Sequence, residues 1–253
     1  MSVKIRDIYN WIDALAPFEL AEEWDNVGLL AGSMNGETDG VLCALDLNEK
    51  VIDEAVEKGC NLVVTHHPVL FRGRKNLRED DFEGRMLCRL IRANIALIAA
   101  HTNFDNAQPG VNDALAQKLG LTNVEAGESG MRTGVPCVKT LGEFVRHASQ
   151  VLGGPVRCYG EEEKEICRVS LLGGAGGDFW PLAKAAGADV YLTGEISHHK
   201  AWDAYAEGLC CLEAGHAATE LPAISMLAGG LQKAADGVQC NVRIYVSESK
   251  LFR

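Results

Sequence analysis

No stretch of the sequence approaches the ~20 consecutive apolar residues of a membrane-spanning helix, which argues against a membrane protein. The amino terminus does not read as a secretion signal either. Ile5, Ile8, Trp11, Ile12 and Leu15 recur at helical spacing, interrupted by Arg6 and Asp13, the pattern of an amphipathic helix. Positive charge is scarce: 24 Lys and Arg face 35 Asp and Glu, for a net charge of −11. Sequence-independent nucleic-acid binding runs on phosphate neutralisation, so this balance disfavours it. The nine cysteines include no C-x-x-C pair, and their odd number fits reduced, mostly structural thiols in a cytoplasmic protein. No low-complexity tract interrupts the chain. What is present is ordinary globular material, 47% apolar over 253 residues, enough for one large or two modest cores.

Strand and helix signals alternate. Glu22 to Leu30 reads as a turn feeding a short strand; Val41 to Leu45 and Asn61 to Val64 read as strands separated by a helix from Glu49 to Lys58. A helix from Phe82 to Ala93 and a strand from Ile95 to Ala100 follow. From about Leu141 the order recurs: a helix to Val151, strands at Val156 to Tyr159 and Val169 to Leu172, a helix to Ala186, and a strand from Val190 to Thr193. A shift of 128 positions places Val41 on Val169, Ala55 on Ala183, Gly59 on Gly187 and Thr65 on Thr193 without a gap. We therefore expect an α/β fold of two similar lobes, an internal duplication arranged as a layered sandwich with mainly parallel sheets. The expected lobes are residues 1–125, completed by 215–253, and residues 126–214.

Six of the seven histidines fall in short clusters at or just past the end of apolar segments: His66 and His67 with His101, His198 with His199, and His216. Ligands of open α/β sheets gather beyond the carboxyl ends of the strands, which draws these clusters together. Adjacent residues of extended backbone point to opposite sides, so His66 and His67 are expected to serve two neighbouring ions rather than one. Asp105 and Glu220 would supply carboxylates, one of them bridging. If the segment after Gly215 is helical, His216 and Glu220 share a face at i and i+4. Imidazole plus carboxylate without thiolate suits Zn, Fe, Mn, Co or Ni, and sequence does not choose among them. Each element has a plainer reading: the His-His pair as packed or surface side chains, Asp105 as a turn former, His216 with Glu220 as a helical ion pair. His198 and His199 read as surface or supporting groups. The Gly173–Gly177 loop lacks the Lys-Ser/Thr of a P-loop and reads as a tight reversal before a phosphate cradle. Arg72, Arg74 and Lys75 are candidates for an anionic substrate group, or a solvated basic loop.

Together, Trp24-Asp25-Asn26-Val27-Gly28-Leu29, Thr65-His66-His67-Pro68, His101-Thr102-Asn103-Phe104-Asp105, Thr193-Gly194-Glu195 and Glu213-Ala214-Gly215-His216-Ala217-Ala218-Thr219-Glu220 resemble the Nif-three-like dinuclear metal proteins, a family that includes homologues of type-2 GTP cyclohydrolase I. The resemblance runs nearly end to end. It implies two similar α/β domains, a toroidal homohexamer with metal sites facing an internal cavity, and two divalent ions per subunit. It assigns His66 and Asp105 to one metal, His67 and His216 to the other, and Glu220 to both. The expected function is a metal-dependent hydrolase of a nucleotide-like or phosphate-bearing small molecule, with His101 as acid/base. The rival expectation is a metallochaperone or ring-forming regulatory adaptor without turnover.

Overall fold

The computed structural model describes residues 2–249. Strands β1 (Val3–Lys4), β2 (Gly28–Ala31), β3 (Glu37–Thr38), β4 (Gly40–Ala44), β5 (Leu62–Thr65) and β6 (Ala96–Ala99) are interleaved with helices α1 (Ile5–Leu15), α2 (Glu49–Glu57), α3 (Phe82–Arg92) and α4 (Thr102–Asn106). There follow α5 (Val111–Lys118), β7 (Thr122–Ala126), β8 (Arg132–Val135), α6 (Leu141–Leu152), β9 (Arg157–Tyr159), β10 (Val169–Leu172), α7 (Trp180–Ala185), β11 (Val190–Thr193), α8 (His198–Ala206) and β12 (Cys210–Glu213). Helix α9 (His216–Gly237) and β13 (Arg243–Val246) close the chain. Two compact units emerge, one from the residues up to Ala107 together with those from Ile224 on, the other from Gln108–Ala223. Each has the α/β character read from the sequence.

In the first unit the five-stranded sheet runs β13-β4-β5-β6-β2, with all neighbours parallel except β2. Every residue of β4, β5 and β6 is buried, which is why these strands read as continuous apolar runs without alternation. Helix α1 buries Ile5, Ile8 and Ile12, the apolar stripe its spacing predicts. Ala44, Thr65 and Ala99 are register partners, so β4, β5 and β6 end level with one another. The ladder then runs one residue further: the amides of His66, His67 and Ala100 donate to the carbonyls of Ala44, Leu45 and Thr65 at 3.1, 3.0 and 2.9 Å.

The second unit carries a six-stranded sheet, β7-β8-β10-β11-β12-β9. Its centre, β10, β11 and β12, is parallel; β8, β7 and β9 attach antiparallel at the sides. Helix α6 shows how local sequence sets its own limits. Thr140 accepts from the Glu143 amide while Glu143 accepts from the Thr140 amide, and Gly153 ends the helix at φ 75°. Leu172, Thr193 and Glu213 end level, and the ladder again continues, with the amides of Glu195, Ala214 and Gly215 bonding the carbonyls of Gly174, Thr193 and Gly194.

The two sheet centres share one register under the 128-position shift, Val41 pairing with Leu62 as Val169 pairs with Val190. Gly59 and Gly187 adopt φ +64° and +72° at corresponding chain reversals, where a side chain would be strained. Strand β7 was not legible: all five of its residues are exposed, so no buried face imposes alternation on its sequence. Burial pushes the Cys43 and Cys211 thiols up to about 12, so they pack as protonated, small apolar groups.

Candidate metal centre

In the first unit the level strand ends place three imidazoles together. His66 follows β5 and is fully buried. Its Nδ1 lies 2.8 Å from the Ala100 carbonyl, and since a carbonyl only accepts, Nδ1 carries a proton and donates there. Its Nε2 is 3.7 Å from Asp105 Oδ1. His67 Nδ1 meets Asp46 Oδ1 at 2.7 Å, and His101 Nδ1 meets Asp25 Oδ1 at 2.9 Å. One ring nitrogen from each of His66, His67 and His101 lies within 4.8 Å of the others, a spacing that can hold a metal ion. The His66 and His67 ring centroids are 5.0 Å apart, with the rings tilted by 46°. Alternation belongs to extended backbone, and β5 ends at Thr65, before either histidine.

In the second unit His216 opens α9, and its Nε2 is 3.3 Å from Glu220 Oε1 one turn later. Its Nδ1 faces Glu195 Oε1 at 3.1 Å. Glu220 is buried, unlike a carboxylate on a solvated helix face. The glycine loop after β10 packs directly on this pair. Gly173 N–H donates to Asn112 Oδ1 at 2.8 Å and Gly174 N–H to Thr219 Oγ1 at 3.0 Å, so both amides serve the protein's own oxygens rather than a phosphate. A Cβ at Gly174 would collide with Glu220 Oε1 and touch His216 Nε2.

The donor set fits divalent ions of the Zn, Fe, Mn, Co and Ni type: imidazoles whose Nδ1 atoms meet an oxygen, with the Asp105 and Glu220 carboxylates beside the rings. Asp46, Asp25 and Glu195, which hold those Nδ1 atoms, were missed as site residues in the sequence. Asp46 lies two residues beyond β4, at the same edge as His66, and that strand-end position was the available signal. The basic loop divides. Arg74 is engaged by both oxygens of Asp81 at 2.8 and 2.7 Å and by Glu83 at 2.6 Å, while Arg72 and Lys75 are exposed along a groove. His198 and His199 stand exposed on the first turn of α8, His199 beside the Ser197 hydroxyl.

The Asp25 carboxyl is strongly perturbed. Burial by itself would raise its pKa, but hydrogen bonds from His101 and from the hydroxyl and amide of Thr102 outweigh that and hold it well below the ordinary carboxylate range. Asp25→Ala leaves those donors facing a void and is expected to destabilise the protein by about 1–3 kcal/mol at pH 7. Because the folded-state value is depressed, this contribution is present above the unfolded value of about 3.9 and fades as pH falls below it. Urea unfolding at pH 7 and pH 3 checks this: the gap between wild type and variant should narrow at pH 3, and a widening gap would contradict the assignment.

Comparison with known proteins places these residues in context. The family model described as Duf34/NIF3 (NGG1p interacting factor 3) matches residues 3–251. A Clostridium acetobutylicum protein named GTP cyclohydrolase 1 type 2 homolog is 33% identical over 264 residues, covering 99% of this chain and 98% of its own. A Streptomyces coelicolor protein of the same name is 35% identical over 261 residues, covering 97% of this chain and 92% of its own. Among solved structures, a Bacillus cereus protein related to NIF3 superposes with a TM-score of 0.94 at 26% identity, covering 99% of this chain and 98% of that one.

Proposed function

We propose, since the chain belongs to the Duf34/NIF3 family, that it binds two divalent metal ions and acts as a metal-dependent hydrolase on a nucleotide-like or phosphate-bearing small molecule. The observation that carries this reading is the clustering of fixed histidines: one ring nitrogen from each of His66, His67 and His101 lies within 4.8 Å of the others, and Nδ1 of every imidazole of the two groups meets an oxygen of Ala100, Asp46, Asp25 or Glu195, which sets the ring orientation. His66, His67, Asp105, His216 and Glu220 are the proposed metal donors. Five donors satisfy two ions when one carboxylate is shared, and the resemblance assigns that part to Glu220.

Divalent ions of this type supply Lewis acidity that makes water a nucleophile near neutral pH, against about 15.7 for the pKa of bulk water. The protein's own part is to orient and to move protons. Asp25 fixes the orientation of the His101 ring, and His101 is the proposed acid/base. Arg72 and Lys75 are the proposed contacts for an anionic group of the substrate, and the nucleotide class is supported by the names of the Clostridium and Streptomyces relatives. A homohexameric ring in the cytoplasm completes the reading.

Protein purified without a metal-affinity tag is expected to carry close to two ions per chain by elemental analysis. A nucleotide panel headed by GTP should be turned over by that protein, and not after chelation. Turnover that survives metal removal would sink the hydrolase. Full metal content with no turnover would leave a metal-carrying adaptor.

A further inference from the structure

Two large aromatic side chains stand in solvent beside the histidines of the first unit. Trp24 is 58% exposed and Phe71 44% exposed, so neither is held by the core. Their ring centroids are 5.7 Å apart, and they lie 6.2 and 6.3 Å from the His101 ring. The loops that carry them are fastened together, the Asn26 side-chain amide donating to the Leu70 carbonyl. The same two loops line a groove that includes Asn26, Leu70, Arg72 and Lys75. Arg74 points its charge into Asp81 and Glu83, which leaves Arg72 and Lys75 as the exposed cations of that strip.

Apolar ring faces and exposed cations thus share one pair of loops, next to three clustered imidazoles. Exposed aromatic surface is unfavourable in water and marks places where a ligand covers it. The ligand that matches both features is planar and carries negative charge. We propose that Trp24 and Phe71 form a stacking platform for the heteroaromatic ring of the substrate, while Arg72 and Lys75 take its anionic group. The platform is a specificity device: it selects ring-bearing anions over bare phosphates and sets the ring within reach of His101. This rests on the reading of the site as one that acts on nucleotide-like anions.

The test compares binding of GTP and of inorganic triphosphate to wild type, Trp24→Ala, Trp24→Phe, Phe71→Ala and the Trp24→Ala/Phe71→Ala double variant, by equilibrium dialysis with metal content measured on the same samples. Stacking of one base on an aromatic side chain corresponds to about tenfold in affinity. Wild type should therefore prefer GTP over triphosphate by about that factor, Trp24→Ala and Phe71→Ala should each erode the preference, and Trp24→Phe should keep most of it. A preference that survives in the double variant, or none in wild type, overturns the platform. Metal retained in the overturning case leaves the metal centre standing; metal absent from wild type that still prefers GTP through Trp24 sinks the centre and keeps the platform.

Discussion

Glu220→Ala is expected to strip the protein of at least one metal ion per chain and to weaken what remains upward of about 100-fold, beyond the 10–100-fold that follows loss of a group supporting a ligand. Glu220 is buried on the first turn of α9, with Oε1 3.3 Å from His216 Nε2. A buried carboxylate facing an imidazole is an oxygen and nitrogen donor pair suited to a divalent cation. The stability of the metal-free protein is the companion measurement. Metal-loaded wild type should exceed metal-free wild type in stability, and the variant should gain less from added metal. Glu220→Gln keeps the shape and loses the charge, and should follow the alanine variant in metal content. Elemental analysis and thermal unfolding with and without metal decide the matter; two ions retained at unchanged affinity would refute the role.

Gly174→Ala is expected to destabilise the protein by roughly 3–5 kcal/mol and to impair metal binding as well. Two separable causes act. Gly174 sits at φ +62°, where an L side chain costs about 1–2 kcal/mol. Its added methyl would also run into Glu220 Oε1 and reach within 3.4 Å of His216 Nε2. The loop has no room to retreat, because the Gly174 amide bonds Thr219 and its carbonyl accepts from the Glu195 amide at 2.9 Å. Gly153→Ala is the control, with φ +75° and nothing within 4 Å of the new methyl, so it isolates backbone strain. Urea unfolding of both variants, with metal content, should show the larger loss and the metal defect only at Gly174. Equal losses with full metal would mean that the glycine serves the turn alone.

The parallel centres of both sheets were legible because burial on two faces writes an uninterrupted apolar run, as in Leu62-Val63-Val64 and Val190-Tyr191-Leu192. Strand β7 was not, since it carries no buried face, and the antiparallel direction of β9, read as a strand from Val156 to Tyr159, is set by its pairing with β12. The candidate site residues lie where the sequence breaks an apolar run with a polar group, at His66, His101 and His216. The carboxylates behind them escaped for a physical reason. Asp25 lies 76 positions from His101 and Asp46 lies 21 from His67, and only strand register brings such pairs together.

The amides that extend the sheet ladder into His66 and His67, with the oxygens that seize each Nδ1, have a further consequence. They freeze both backbone and ring torsions of the ligands during folding. The conformational entropy of ordering a side chain at a binding site, about 0.5–1.5 kcal/mol each, is then lost before a ligand arrives. Capture of an ion or substrate by these rings needs little rearrangement, and the native state of the first unit bears the cost as stability it does not have.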